Sequence, residues 1–235
     1  MREVYSNDSL KIMEEKNVFT IFFEHPNPLI IDSLIKTRII QGATSSDDYK
    51  ILKFKANKVE TFSQYQQEQK KQKGSIKLNL NSTAMMVSTL TTQLNYLIAI
   101  RSRAIIGYTP KDILVINENK FVFMGTELMM ELMAENKALI SYPFSETDFF
   151  VSPELLKVKE LPSYIHYKTA YFSLGCLIIY ALLGDDEFYK EYLKNRETDK
   201  ILEYLNNHSI KDTKLYWLLS RCLVEDPEKR SILYL

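Results

Sequence analysis

Acidic side chains and one lysine are the residues of this sequence whose types and spacing could do chemistry together. Asp112 stands between a Pro-Lys pair and an Ile-Leu run, and Glu127 and Glu131 follow it at a spacing of four. Carboxylate oxygens are the ligands that Mg²⁺ prefers, and Lys53, in an alternating segment, could place a positive charge on a phosphate. Simpler roles stay open: a turn or cap residue for Asp112, a solvated helix face for the two glutamates, and an exposed strand lysine for Lys53.

The histidines and serines do not indicate a second kind of reactive site. His25, His166 and His208 are isolated and lack the spacing to cysteine or acidic residues that is typical of metal sites. Ser152 and Ser173 do not lie in the Gly-x-Ser-x-Gly setting of a nucleophilic serine. The sequence therefore predicts neither a zinc site nor a serine hydrolase.

Composition limits the classes of partner. The chain has 235 residues, of which 46% are hydrophobic, enough for one core or for two small lobes that share an interface. Its 30 basic side chains balance 30 acidic ones, so no net field attracts nucleic acid or an anionic membrane. We therefore expect no nucleic-acid partner.

The cysteines and the apolar runs indicate a compartment. Cys176 and Cys222 both lie in apolar helical patterns, which predicts buried free thiols in a reducing environment. The longest apolar run covers residues 170–183, short of the roughly 20 residues that a membrane span needs, and the polar N-terminus shows no signal-peptide pattern. We therefore expect a soluble, cytoplasmic protein with no membrane partner.

Local patterns change in character near residue 83. Before it, apolar spacing predicts strands over residues 17–23 and 49–55 and helices over residues 29–40 and 60–73. After it, the patterns predict a helix over residues 83–103, strands over 113–116 and 120–123, a long connection to residue 151, helices near 165–183, 186–206 and 213–224, and a short helix after residue 227. A small mixed upper lobe followed by a helical lower lobe fits this order.

Four short motifs in the second part of the chain occur in a recognisable order. They are Thr-Asp-Phe-Phe-Val-Ser-Pro-Glu at 147–154, Tyr-Phe-Ser-Leu-Gly at 171–175, Leu-Leu-Gly at 182–184 with Phe188 after it, and a closing Leu-Leu-x-x-Cys-Leu-x-x-Asp-Pro-x-x-Arg at 218–230. Together they resemble the lower half of the C-lobe of a eukaryotic-type protein kinase, and the resemblance covers about residues 83–235. Within the second motif, Phe172 stands for the family's Trp, and Ala170 stands where its Asp is usual.

The resemblance implies one structural ion pair. In protein kinases the Glu of the Pro-Glu motif pairs with the Arg of the closing motif and ties the activation segment to the lower lobe. In this sequence those residues are Glu154 and Arg230.

The same alignment leaves the phosphoryl-transfer positions without their reacting groups. Kinases need a glycine-rich loop and a lysine on the phosphates, metal ligands, and a catalytic Asp that accepts the substrate proton. The first 100 residues contain only Gly42 and Gly74, so no glycine-rich loop is possible. The catalytic Asp position falls on Gly107, behind Ile105 and Ile106 in place of His-Arg.

The metal-binding positions are also altered. Asp112 takes the place of the metal-binding Asn, and the counterpart of Asp-Phe-Gly is Phe123-Met124-Gly125, with no acid at its head. The resemblance therefore implies an α+β, kinase-like, two-lobed fold with a reduced N-lobe in residues 1–82 and a mainly helical C-lobe in residues 83–235. It further implies a pseudokinase without catalytic residues or cofactor, which binds an unidentified partner protein near residues 156–167 or 185–194.

Two alternatives remain open. The first is a divergent active Ser/Thr protein kinase that binds ATP and Mg²⁺, with Asp112, Glu127 or Asp148 as displaced acids. It would use Lys53 on the phosphates, with Glu60 or Glu68 as the lysine's partner. The second is an unrelated α-helical interaction domain whose motif matches arise by chance.

Overall fold

Helices and antiparallel strands make up the structure, a computed structural model that describes residues 1–144, 150–184 and 198–233. The predicted α+β class is confirmed. The strands are β1 Arg2–Ser6, β2 Leu10–Glu15, β3 Val18–Phe23, β4 Thr44–Ser45, β5 Ile51–Lys55, β6 Val59–Thr61, β7 Arg103–Ile105, β8 Ile113–Ile116, β9 Lys120–Phe123, β10 Met129–Met133, β11 Lys137–Ile140 and β12 Ser163–His166. The helices are α1 Pro28–Lys36, α2 Phe62–Lys73, α3 Leu80–Arg101, α4 Pro153–Leu156, α5 Thr169–Leu183, α6 Thr198–Asn207 and α7 Lys214–Cys222.

A five-stranded antiparallel sheet with the order β1-β2-β3-β5-β4 forms the N-terminal part of the fold. Helix α1 connects β3 to β4 and begins where the Asn27 side chain accepts a hydrogen bond from the Ile30 N–H at 3.2 Å. The residue after the cap is a proline at the first helical position, where the missing N–H costs nothing. The helix buries Ile30, Ile31 and Leu34 against the core.

Helix α2 begins at a capping box. The Thr61 hydroxyl accepts from the Gln64 N–H at 3.2 Å, and the Gln64 side chain accepts in return from the Thr61 N–H at 2.8 Å. The predicted start at Glu60 is too early because Glu60 lies in β6, which pairs with β8. The helix ends at Gly74, whose φ of 72° is the left-handed conformation that favours glycine.

Side chains of helix α3 bond to the edge of β9 that has no neighbouring strand among the described residues of its sheet. The Thr89 hydroxyl donates to the Phe121 carbonyl at 2.7 Å and accepts from the Phe121 N–H at 3.2 Å. One turn on, the Gln93 amide donates to the Phe123 carbonyl at 2.8 Å and accepts from the Phe123 N–H at 2.9 Å. The two side chains therefore satisfy the backbone groups along the outer edge of the β6-β8-β9 sheet.

The connection predicted between β9 and residue 151 contains strands instead. A four-stranded sheet with the order β12-β11-β10-β7 occupies this part of the fold. Strand β10 pairs with β7 through Met130 and Ala104. The prediction was wrong here because β10 and β11 pair with the distant strands β7 and β12, and each strand is only three to five residues long.

The C-terminal helices complete the core. Helix α5 buries nearly all of its side chains, and a Cβ on its Gly175 would lie 3.0 Å from the Cβ of Cys222 on α7. Cys176 and Cys222 are both buried and are not joined in a disulfide, as predicted. One apolar cluster extends from Ile12 of β2 through Leu90 of α3 to this helix.

The predicted element boundaries are only partly tested. Residues 186–197 of the predicted helix 186–206 lie outside the described residues, and the remainder corresponds to α6. The division at residue 82 falls in the first turn of α3 and stays a prediction. None of the helices in the described ranges combines the length and the apolar character needed to cross a bilayer.

Candidate functional site

Glu154 and Arg230 meet in a bidentate ion pair. Nη1 of Arg230 donates to Oε1 of Glu154 at 2.5 Å, and Nη2 donates to Oε2 at 2.8 Å. Glu154 lies in the first turn of α4, where the positive end of the helix favours a carboxylate. The pair joins positions 76 residues apart in the sequence.

Arg230 also forms hydrogen bonds to backbone carbonyls and packs its guanidinium against an aromatic ring. Its side chain is 0% exposed. Nε donates to the Val224 carbonyl at 2.7 Å, and Nη2 donates to the Glu225 carbonyl at 2.9 Å. The guanidinium carbon lies 5.1 Å from the centre of the Phe172 ring, within the range of a cation–π contact. Arg230 therefore fastens α4, α5 and the segment after α7 to one another.

The segment that aligns with the kinase catalytic loop is buried. Ile105, Ile106, Gly107 and Tyr108 are all classed as buried, and no carboxylate lies among them. The Tyr108 N–H donates to Oγ of Ser173 on α5 at 2.7 Å, which holds the segment against that helix. At the position of the catalytic Asp, Gly107 has no group that could accept a proton.

The side chain of Tyr108, the last residue of this segment, is packed in the core. Its ring packs against Phe123 with centroids 5.2 Å apart, and its hydroxyl is buried with no hydrogen-bond partner among the described residues. Burial raises the pKa of the Tyr108 hydroxyl far above its usual value. Ile106 and Met124 are buried as well, with exposed fractions of 0% and 6%. Apolar side chains therefore occupy the region where the alignment expects an open catalytic site.

Asp112 keeps a partly buried carboxylate beside Gly125. The Met124 N–H donates to the Asp112 backbone carbonyl at 2.8 Å, and Oδ2 of Asp112 lies only 2.5 Å from where a Cβ on Gly125 would be. Burial, followed by the charge of Glu127, raises the pKa of Asp112 to about 6. No cationic side chain pairs with Asp112 among the described residues.

This raised pKa makes a stability prediction. The folded protein binds the Asp112 proton more tightly than the unfolded chain, so the ionised form penalises folding above about pH 6, and the penalty disappears below about pH 4. We expect Asp112→Asn to raise the free energy of unfolding by about 2–3 kcal/mol at pH 7.5 and to have no effect near pH 3.5. Urea unfolding at both pH values measures this. Asp47→Asn, at an exposed position, controls for the loss of charge. A variant no more stable than wild type at pH 7.5 would contradict the assigned environment.

The other acidic candidates, Glu127 and Glu131, do not form the helix face that their spacing suggested, although the charge of Glu127 reaches Asp112. Glu127 lies in a turn and Glu131 lies in β10, so the two do not share a helix face. Glu131 faces Arg103 of β7 at 3.9 Å. Asp148, Phe188 and residues 185–194 lie outside the described residues. Within the described ranges, no group of three or more metal-ligating side chains comes together.

Lys53 lies on a strand, and neither Glu60 nor Glu68 is its partner. In protein kinases the phosphate-binding lysine lies on the third strand, and its glutamate partner lies on helix αC. Lys53 is an exposed residue of the fifth strand, β5, and forms no ion pair with a described residue. The third strand, Val18–Phe23, contains no lysine, and the following helix, Pro28–Lys36, contains no glutamate.

Lys58, which the sequence did not single out, takes the acidic partners instead. Its Nζ contacts Glu68, lies 3.0 Å from Oε1 of Glu60, and lies 3.7 Å from Glu118. Burial raises the pKa of the Glu60 carboxyl despite the nearby lysine. Glu68 and Glu118 are 10 and 60 residues away from Lys58, so only the folded chain brings these two acids to the lysine.

The turn between the first two strands also lacks a phosphate-binding form. Oδ1 of Asn7 accepts hydrogen bonds from the N–H groups of Ser9 and Leu10 at 3.0 and 2.8 Å. A phosphate-binding loop needs free backbone N–H groups and close approach, which glycine provides. This turn contains no glycine and uses its own amides internally.

Comparisons with known proteins add no family. No protein-family model matches the sequence, and no curated protein matches it. The resemblance to protein kinases therefore depends on the motifs and contacts described above.

Proposed function

We propose that this chain is a degenerate, kinase-like domain, a pseudokinase, that binds a partner protein and does not transfer phosphate. The observation that carries the proposal is the buried segment around Gly107, because phosphoryl transfer needs a carboxylate there in reach of the substrate hydroxyl. Ile105, Ile106 and Tyr108 pack this segment into the core. Its backbone is further tied to α5 through Ser173.

Two further features support a kinase-like fold that does not catalyse phosphoryl transfer. The bidentate pair of Glu154 and Arg230 joins the two motifs that the resemblance pairs. By contrast, the third strand has no lysine and the first turn has no glycine. Loss of the base, the lysine and the phosphate loop together removes most of the charge stabilisation on which the rate of phosphoryl transfer depends.

The partner-binding part of the proposal concerns the lower part of the fold. The segment at residues 156–167 leaves large side chains exposed, among them Leu161 at 40% and Tyr164 at 56%. Exposed tyrosines are typical anchors of protein interfaces. This segment follows the Glu154–Arg230 pair directly, so it is presented on a fixed base.

Nucleotide binding provides the test. We expect the melting temperature of the chain to be unchanged by ATP, with or without Mg²⁺, because the first turn has no glycine to approach the phosphates and the third strand has no lysine to bind them. A thermal-shift titration with ATP and Mg²⁺ measures this, with Asp112→Ala and the exposed Asp47→Ala as matched variants. A Mg²⁺-dependent rise that Asp112→Ala abolishes and Asp47→Ala preserves would contradict the proposal and support a divergent active kinase.

A further inference from the structure

Among the described residues, β12 is the outermost strand of its four-stranded sheet. The Tyr167 N–H donates to the Asn136 carbonyl at 2.9 Å, which makes these two residues a hydrogen-bonded pair of the β11–β12 ladder. Such pairs alternate along antiparallel strands, so Ile165 bonds toward β11 while the N–H and C=O groups of Tyr164 and His166 point away from it. The outer edge of β12 therefore has backbone donors and acceptors that pair with no residue of the ranges the structure describes.

A groove of about 650 Å³ lies against this strand. All four residues of β12 line it, together with residues 157–160, Pro162 and Pro227. Tyr164, in the middle of the strand, is 56% exposed. An extended chain seated here could bond to the free edge and place alternate side chains in the groove.

Charge on the groove favours an acidic occupant. The Glu154 carboxylate at its base is already neutralised by the bidentate Arg230. The other charged side chains of the lining are two lysines, Lys157 and Lys159, and one glutamate, Glu160, so one positive charge is in excess. Lys157 also lies 3.8 Å from Glu225, but both side chains are more than 70% exposed, so that pair is weak.

His166 does not change this balance at neutral pH. Burial, followed by the charge of Lys168, lowers the pKa of His166 below its usual value. The side chain is therefore uncharged at pH 7, and the net charge of the groove lining stays positive because of its two lysines.

We propose that the free edge of β12 binds an extended, acidic segment of a partner protein, which adds to the sheet as a fifth strand. Main-chain hydrogen bonds to Tyr164 and His166 would supply affinity, and Lys157 and Lys159 would select acidic side chains. This inference rests on the proposed partner-binding function and names the chemistry of the partner. It needs no nucleotide, so its test is independent of the tests for phosphate transfer.

The probe is a phage-displayed library of random peptides selected on the full chain, followed by binding titrations of the enriched peptides as synthetic fluorescent copies. Tyr164→Pro removes one outward N–H, and Tyr164→Ala is its matched control because it removes the side chain and keeps the N–H. We expect enriched peptides to be acidic and to bind Tyr164→Pro at least about tenfold more weakly than Tyr164→Ala. The Lys157→Glu/Lys159→Glu variant should lose binding similarly.

Amide hydrogen exchange on the wild-type chain keeps the test decisive if the proline variant does not fold. Bound peptide should slow exchange of the Tyr164 and His166 amides and leave the already bonded Ile165 amide unchanged. No enriched peptide, enrichment of basic peptides, equal binding to Tyr164→Pro and Tyr164→Ala, or binding that leaves the two amides unprotected would overturn the proposal. Self-association of the chain through this edge would also overturn it, because the occupant would then be a second copy.

Discussion

Arg230→Met is expected to lower the free energy of unfolding by about 3–5 kcal/mol, the largest effect of a single substitution that we predict. The methionine keeps much of the apolar stem of Arg230 but removes its five donors. The Glu154 carboxylate, only 18% exposed, would then lack a counter-charge, and the carbonyls of Val224 and Glu225 would lose their donors. Urea unfolding measures the loss, with secondary structure followed by circular dichroism.

A double-mutant cycle with Glu154→Gln makes this test specific. Because both oxygens of Glu154 bond to Arg230, the double variant should lose much less stability than the two single losses added together. Lys229→Met is the matched control, since this neighbouring cation is 75% exposed and its ion pair with Asp226 should contribute less than about 1 kcal/mol. Independent, additive losses would favour an unrelated helical domain with chance motif matches.

Gln93→Leu is expected to cost about 2–4 kcal/mol, because the substitution leaves buried backbone groups without partners. The Gln93 amide satisfies both the N–H and the carbonyl of Phe123, and it also donates to the Ser33 hydroxyl of α1 at 3.0 Å. Leucine fits the volume but offers neither a donor nor an acceptor. The loss should appear in urea unfolding and as faster exchange of the Phe123 amide.

The neighbouring position provides the control for this substitution. Thr92 lies on the exposed face of the same helix, and its hydroxyl only bonds back to the Ser88 carbonyl. Thr92→Val should therefore change the free energy of unfolding by less than about 0.5 kcal/mol. Equal effects of the two substitutions would show that the side chain of Gln93 does not hold the edge of β9.

Local sequence signals predicted an element correctly where turn-forming residues next to it in the sequence mark its ends. Strands β8 and β9 begin and end as predicted because a turn-forming Asn-Glu-Asn separates two apolar runs. The Glu154–Arg230 pair was expected from its two motifs. Its additional contacts with Val224 and Glu225 depend on how the chain turns after α7, which no local pattern specifies.

Elements that depend on distant partners were missed, and the assignment of Lys53 to a phosphate, which was made without them, stays a prediction. Strand β1 is polar and has no buried residue, and β2 buries only Leu10 and Ile12, so the two strands show too little alternation in the sequence to be recognised. Without them the segment containing Lys53 looked like an early strand, whereas it is the fifth. The lysine that does gather acidic side chains, Lys58, has partners from three separate parts of the chain.

Transfer of phosphate from ATP is the measurement that tests the central claim most directly. The purified chain is incubated with Mg²⁺ and ATP radiolabelled on the γ-phosphate, alone and with a generic protein substrate, beside an active kinase as positive control and the heat-unfolded chain as background. We predict no incorporation above background, because Gly107 supplies no base and no lysine occupies the third strand. Mg²⁺-dependent incorporation that Asp112→Asn abolishes would contradict this account.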